Sequence, residues 1–545
     1  MNKDRKVPAV AYFCMEFGLD PNFPIYSGGL GILAGDHLKA AHDEGYPVVG
    51  VGILWRKGYT SQYIGENGYP YDVAQAYNYD FLKDTGVKVE VTIKQQPVTC
   101  KVWLADHFNN VPLYLLDADL PENKEPWLTH SLYRGSSDDR IAQEIMLGVG
   151  GIRALRALGL PIDVFHFNEG HAVLAGVELI REQMSTGLSF EQALNMTRNK
   201  IVFTTHTPVP AGNEAHHHGA LSYVGAYNGL SYEQMKRLGG DPFNMTVAGL
   251  RLSTLTNGVS ALHGETAQSM WEQVTTSSPI ISITNGVHEG TWQARNMAQA
   301  VAAQPETLYR AHQENKAQLR AEIQRRTGHC LNPDSLLIGF ARRAATYKRG
   351  DLIFRNREEL MPLLESGRIQ LVFAGKAHPQ DDGGKKMVAN IVALAKQLPG
   401  KVIFLENYDM TLGQLLTRGC DVWLNNPQRP LEASGTSGMK AGMNGVLNFS
   451  TLDGWWVEGC QHGINGWQFG DGYVGPDQDT HDLNALYRVL KGEILPTYEQ
   501  DKAKWAQMMQ ASIQTCTRDF SARRMINEYY DRLYRPLVEA GRKIS

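Results

Sequence analysis

Short apolar runs alternate with segments of helical spacing through the second half of the chain. The runs are LLIGFA from Leu336, IQLVFAG from Ile369, KVIFLEN from Lys401, CDVWLNN from Cys420 and VLNFST from Val446. Between them, YKRGDLIFRNREELMPLLE, KKMVANIVALAKQL and TLGQLLTRG repeat their apolar residues at three and four positions. Short strands buried on both faces and linked by helices require right-handed crossovers, and so predict a parallel sheet wound on both sides. Ligands of such sheets bind beyond the carboxyl ends of the strands.

The first half repeats the pattern less regularly. AVAYFC, YPVVGVGIL, DVFHFN and KIVFTTHT read as strands, and GGLGILAGDHLKAAHDEG as a turn running into a helix. VKVEVTIKQQPVTCKVWLADHFNNVPLYLLDA alternates with period two and reads as an antiparallel insertion. At 545 residues the chain exceeds what one core serves, so two domains are expected, 1–290 and 291–545. The second opens on a helix with Leu308, Ala311, Leu319 and Ile323 on one face, and the final helices, after about residue 519, pack back on the first domain. The fold class is α/β, two doubly wound domains in series facing a central cleft.

Composition narrows the partners. The chain is 43% hydrophobic and 20% charged with a net charge of -4, which gives no case for nucleic acid or an anionic membrane surface. Six cysteines without CxxC or disulfide-like spacing suit a reducing cytosol. The opening MNKDRKVPAVAYFCMEFG is broken by Glu16, which favours a first strand over a signal peptide. No apolar run is long enough to span a bilayer, so a soluble cytoplasmic protein is expected.

Candidate chemistry collects at predicted strand ends. SGGLGILAGDHL sets Gly28, Gly29 and Gly31 before a helix, where backbone N–H groups can cradle an anion or merely make a tight turn. FARRAATYKRGDL delivers Arg342, Arg343, Lys348 and Arg349 after an apolar strand, a phosphate-binding set or a solvated basic loop. HFNEGHA and FTTHTPVPAGNE supply Asn168, Glu169, His171 and His206 as donors and acceptors for a polar ligand, with buried structural histidines the ordinary alternative. The triple histidine at 216–218 does not read as a metal site, because adjacent side chains do not converge on one ion, and no metal is expected. Asn285 and Trp292 lie in ITNGVHEGTW as a polar contact and a wall, and Trp455 and Trp456 either stack on sugars or pack. In EASGTSGMKAGMNGVL a lysine, Lys440, stands among small residues between two strands, either an ordinary exposed helix lysine or a tether for an aldehyde cofactor with a phosphate tail.

Taken in order, SGGLGILAGDHL, HFNEGHA, THT, TNGV, TYKRGDL, GKAHP, FLENY and EASGTSGMKAGMNG resemble the α-glucan phosphorylases, the glycogen, starch and maltodextrin phosphorylase family. The resemblance implies two Rossmann-like domains in the architecture of retaining glycosyltransferases, pyridoxal 5'-phosphate as cofactor, and retaining phosphorolysis of linear α-1,4-glucans with inorganic phosphate to α-glucose 1-phosphate. It implies that Lys440 holds the cofactor, with Arg342 and Tyr408 near it, and that Gly28, Gly29, Ser434, Gly435, Thr436 and Ser437 form turns near the phosphates. Arg343 and Lys348 would hold inorganic phosphate, and His206, Asn285 and Glu432 the transferred glucosyl unit. Glu169, His171 and Tyr347 would complete the substrate contacts. The 5'-phosphate would relay the proton, so no hydrolase-like carboxylate pair is required. The assembly could be a homodimer.

Two positions depart from the family pattern: Arg342 replaces a lysine, and Asp409 follows FLENY where an arginine is frequent. The chain starts almost at its first strand, which implies weak or absent regulation through an N-terminal tail. The rivals are a nucleotide-sugar-dependent glucan synthase, which would not need Lys440, and a non-catalytic glucan-binding protein, which would not need Arg343, Lys348 and Lys440 together.

Overall fold

The computed structural model describes residues 7–542; the first strand expected in the opening segment forms as Val10–Phe13, and the part of that segment before residue 7 lies outside the described residues. The chain divides into two compact units. One comprises the described residues up to Thr60, then Ala74–Thr284 and the chain from Ala522; the other comprises Ser61–Val73 and Asn285–Ser521.

The first unit is built on a nine-stranded sheet. Seven strands run parallel in the order Ile280–Ser282, Leu255–Gly258, Ile201–Thr204, Val164–Asn168, Val10–Phe13, Val48–Ile53 and Leu113–Asp117. Gln96–Ala105 and Lys83–Ile93 extend the same sheet antiparallel at one edge. The expected insertion is therefore no separate sheet. Its last segment, Leu113–Asp117, joins the parallel part because Leu113, Leu115 and Leu116 are buried, whereas the edge strand Lys83–Ile93 alternates exposed and shielded residues. Helix Ala522–Tyr529 packs on helix Gly29–Asp43, and Tyr46 donates to Asn527 Oδ1 at 2.5 Å.

The second unit holds a six-stranded sheet, all parallel: Leu336–Ala341, Ile369–Ala374, Val402–Leu405, Val422–Asn425, Leu447–Thr451 and Gly466–Phe469. Numbered along the chain, their spatial order is third, second, first, fourth, fifth, sixth. Leu336–Ala341 and Ile369–Ala374 are buried at every residue, which is why they read as unbroken apolar runs. Helix Pro305–Thr327 buries Leu308, Ala311, Leu319 and Ile323. The stretch after Tyr347, with its helical spacing, forms two 3-10 turns, Thr346–Lys348 and Leu352–Arg355, before α-helix Arg357–Glu365. The left-handed backbone at Arg349, φ 49°, ends the first turn, and Asn356 Oδ1 accepts the Glu359 N–H to start the helix.

A hairpin from the first third of the sequence belongs to this second unit. Its strands Ser61–Ile64 and Pro70–Val73 pair antiparallel, and the Gln62 carboxamide both donates to Ala377 O and accepts from Ala377 N, each at 3.0 Å. Lys385 pairs with Asp72 at 2.7 Å. All six cysteines are unpaired, and among the described residues no helix is long and apolar enough to cross a membrane.

Candidate active site

In the second unit the strand order reverses between Leu336–Ala341 and Val422–Asn425, which opens a crevice at their carboxyl ends. Arg342 follows the first of these strands. Its guanidinium is buried, donating to Asn425 Oδ1, to Ser437 Oγ at 3.0 Å and to Glu432 Oε2 at 3.4 Å. Lys348 Nζ donates to the same Glu432 oxygen at 2.9 Å. Burial opposes ionisation of Glu432, but Lys348 and Arg342 outweigh it and hold the carboxyl below its ordinary range.

Ser437 is polarised by its neighbours. Its Oγ accepts from Arg342 and also from Trp423 Nε1 at 3.0 Å. With both lone pairs filled, the hydroxyl proton is left to point at an external acceptor. Lys440 lies three residues on, in helix Ser437–Met443, with Nζ 3.9 Å from the centroid of the buried Trp292 ring. Burial pushes the Tyr408 hydroxyl up to about 12, with Arg342 opposing.

The small residues around Lys440 have two causes. A Cβ on Gly438 would lie 2.5 Å from Asn448 Oδ1, and one on Gly442 2.4 Å from Cys516 Sγ, so both are demanded by internal packing. Gly435, at φ 71°, meets nothing closer than 3.6 Å and is a turn glycine. Thr436 precedes the helix, and Ser434 and Asn285 are buried. Lys348 Nζ lies 5.1 Å from the Tyr347 ring centroid.

The four-cation reading is corrected at Arg349. Its guanidinium is buried and bonds to Asp482 at 2.7 Å, Asp479 at 2.9 Å and two backbone carbonyls. Arg343, by contrast, is exposed and makes no ion pair among the described residues. Asp409 caps helix Met410–Gly419, accepting the Leu412 N–H at 2.8 Å. Trp455 and Trp456 are buried, packed on Gly438 and Gly466, so the sugar-stacking reading fails for both.

In the first unit the polar groups follow adjacent parallel strands Val164–Asn168 and Ile201–Thr204. His206 Nε2–H donates to Asn168 Oδ1 at 2.6 Å, which leaves Nδ1 as an acceptor, and burial holds the imidazole neutral with a pKa of about 3. The Glu169 carboxylate, on a residue at φ 75°, accepts from His206 N at 2.6 Å, Gly170 N at 2.9 Å and Thr207 Oγ at 3.2 Å. Arg140 donates to His171 Nε2 at 3.1 Å.

The glycine turn Ser27–Gly31 already holds an internal anion. Glu16 accepts the Gly31 N–H at 2.7 Å on one oxygen, and the Ser27 N–H at 3.0 Å and hydroxyl at 2.7 Å on the other. A Cβ on Gly28 or Gly29 would meet nothing within 4 Å, and Gly28 has an extended φ of -161°. Neither glycine is explained by internal crowding. The triple histidine diverges: His216 faces Glu144 at 3.1 Å, while His218 bonds to Tyr227 and Gly240 O. Glu144, Glu214 and His216 bring potential ligand atoms within 4.8 Å, but Arg140 sits 3.5 Å from Glu144 and 3.1 Å from Glu214 and supplies the cation itself.

Sequence reasoning missed Trp423, Asn425, Glu16 and Arg140. Only Asn425, at the end of an apolar strand, carried a legible signal.

The crevice defines the class first: a parallel-sheet α/β protein with buried and exposed cations, one carboxylate and a shielded lysine at a sheet switch point. A family model described as Carbohydrate phosphorylase matches residues 293–465. The maltodextrin phosphorylase of Thermococcus litoralis is 38% identical over 96% of this chain and 70% of its own length. The glycogen phosphorylases of Mycobacterium tuberculosis and Aquifex aeolicus are 39% and 34% identical, covering 98% and 97% of this chain and 72% and 86% of their own. The chain belongs to the carbohydrate phosphorylase family.

Proposed function

We propose that the protein catalyses retaining phosphorolysis of linear α-1,4-glucans, with inorganic phosphate, to α-D-glucose 1-phosphate, and that it uses pyridoxal 5'-phosphate. In this reading each unit is a Rossmann-like domain of the kind found in retaining glycosyltransferases. The observation that carries it is the Ser437 hydroxyl, whose lone pairs are filled by Arg342 and Trp423, one helical turn from a lysine shielded by Trp292. An anionic tail and a tethered aldehyde match that pair of groups.

The residues present fit the cofactor. Lys440 would hold it, Ser437 and the turn at Gly435 and Thr436 would receive its phosphate, and Tyr408 would lie alongside. When bound, it would supply a phosphate able to give up and recover a proton near the reacting bond. Arg343, which makes no ion pair among the described residues, would hold inorganic phosphate. Lys348 would balance the charge of both phosphate and Glu432. Glu432, kept ionised by Lys348 and Arg342, would accept hydrogen bonds from hydroxyls of the glucosyl unit and favour positive charge developing on it. His206 offers Nδ1 to a sugar hydroxyl and is not charged near neutral pH, so it orients the sugar without donating the proton. Asn285, Ser434, Tyr347, Glu169 and His171 would complete the hydroxyl contacts, and Gly28 and Gly29 leave space for a close approach.

Incubation with maltodextrin and phosphate, followed by NMR, tests the reaction. The α-anomer of glucose 1-phosphate is expected; free glucose or a β-anomer refutes it. Borohydride treatment followed by peptide mapping tests the cofactor: label on Lys440 is expected, and label elsewhere or none refutes its assignment.

A further inference from the structure

The loop carrying Glu432 is gripped from behind by a turn that the phosphate chemistry does not use. Asp453 is 2% exposed, and its two oxygens are both engaged: Oδ2 accepts the Glu432 N–H and Oδ1 the Gly454 N–H, each at 2.9 Å. Trp455 N then donates to Ser434 O at 2.9 Å. Between them Gly454 adopts φ 53°, and a Cβ there would lie 2.2 Å from Ser434 O. The preceding residues are stitched together as well, Thr451 Oγ to Pro427 O at 2.9 Å and Arg429 to Leu452 O at 3.1 Å. Two acidic side chains therefore serve one loop. Glu432 faces Lys348 and Arg342, while Asp453 holds the Glu432 backbone. Burial, joined by the Glu432 charge, pushes the Asp453 carboxyl up to about 8 against the Glu432 and Gly454 N–H bonds, so near neutral pH it is largely the neutral acid, an unusual setting for a carboxyl with no task.

We propose that Asp453 is a positioning residue for glucosyl transfer: by accepting the Glu432 backbone N–H it aims the Glu432 carboxylate at Lys348 and Arg342, without touching substrate or cofactor. The proposal rests on the phosphorolysis reading above. Both oxygens meet N–H donors, so an amide at this position would set donor against donor on one side. The loop would then turn while the strands beneath it remain.

The test is a double-mutant cycle on the holoenzyme, with Asp453→Asn, Glu432→Gln and both together. Asp453→Asn is expected to lower kcat by about tenfold to 100-fold, with KM for phosphate within about twofold and near-ultraviolet cofactor absorbance unchanged. In the Glu432→Gln background the same change should cost less than about threefold. Unchanged kcat, or the full loss repeated in both backgrounds, overturns the proposal. If Asp453→Asn does not accumulate as folded protein, Gly454→Ala presses on the same loop and is read by the same cycle with the same two outcomes. Calorimetric binding of glucose 1-phosphate repeats the cycle without turnover. A wild type that binds but does not phosphorolyse would refute the reaction, while the binding cycle still decides the role of Asp453.

Discussion

Each unit carries a glycine-bearing turn ahead of a helix, and each turn is held by a buried acidic side chain: Glu16 accepts the Ser27 and Gly31 N–H groups of Ser27–Gly31, and Asp453 accepts the Glu432 N–H of Glu432–Gly435. The resemblance ends at the charges. Beside the second turn stand Arg342 and Lys348, both paired with Glu432, and Lys440 on the helix that follows. At the first, Glu16 itself occupies the amide nest, and the nearby polar groups include histidines that burial keeps neutral. One turn is built to manage charge and the other to offer uncharged space. That division suits a reaction in which phosphate carries the charge and sugar hydroxyls need only orientation.

The largest effect expected from breaking this contrast is Lys348→Ala. It leaves Glu432 buried with the 3.4 Å Arg342 contact as its one remaining ion pair among the described residues, and breaking a buried pair costs roughly 3 to 5 kcal/mol. Turnover should fall by at least about 100-fold in steady-state assays. Arg343→Ala removes an exposed cation that makes no ion pair among the described residues. Catalytic efficiency for phosphate should fall by about tenfold to 150-fold with melting temperature and cofactor content near wild type; unchanged phosphate kinetics would make Arg343 a solvated residue only.

The contrast in charge also predicts which unit acid attacks first. His37 and His206, with pKa values of about 3, and His171 and His263, at about 4, all lie in the first unit, with His166 lowered as well. These groups take up protons on unfolding below about 6.5, so the stability they confer is present above that pH and declines as pH falls toward 4, by about 1.4 kcal/mol per pH unit for each proton. Glu144 and Glu169, raised by burial, offset part of this. In the second unit Asp421 is held at about 2, by Lys316 and His312 against burial, and Glu432 is also lowered; their contribution is lost only as pH falls below the ordinary carboxylate range. Limited proteolysis at pH 5 should cut the first unit before the second, and the reverse order would refute this assignment.

Gly28→Ala should show the smallest effect on the fold. Its Cβ meets open space at an ordinary φ, so stability should change by less than about 1 kcal/mol in denaturant unfolding. If the space is kept for a ligand, turnover or cofactor retention falls all the same. Full activity would reduce the glycine to a tolerated turn residue.

The strands of the second unit were legible because central parallel strands are apolar on both faces, so LLIGFA and IQLVFAG needed no partner to be recognised. Lys440 stood out through its setting, although the structure divides that setting between turn glycines and packing glycines. Arg349 could not be told from Arg343 in sequence. Both are cations after the same strand, and only the carboxylates of Asp479 and Asp482, more than a hundred residues later, commit Arg349 to structure.

The chain by itself determined the elements whose cause is local: apolar runs, helical spacing, and cations placed where a strand must end. Tertiary structure alone decided which groups share a charge or a proton. It placed the Ser61–Val73 hairpin with residues more than three hundred positions away through the amide of Gln62, and it set Asp453 beneath Glu432. Hydrogen bonds and ion pairs act over about 3 Å in space and leave no period in the sequence, whereas burial of a helix or strand face repeats with the geometry of the backbone.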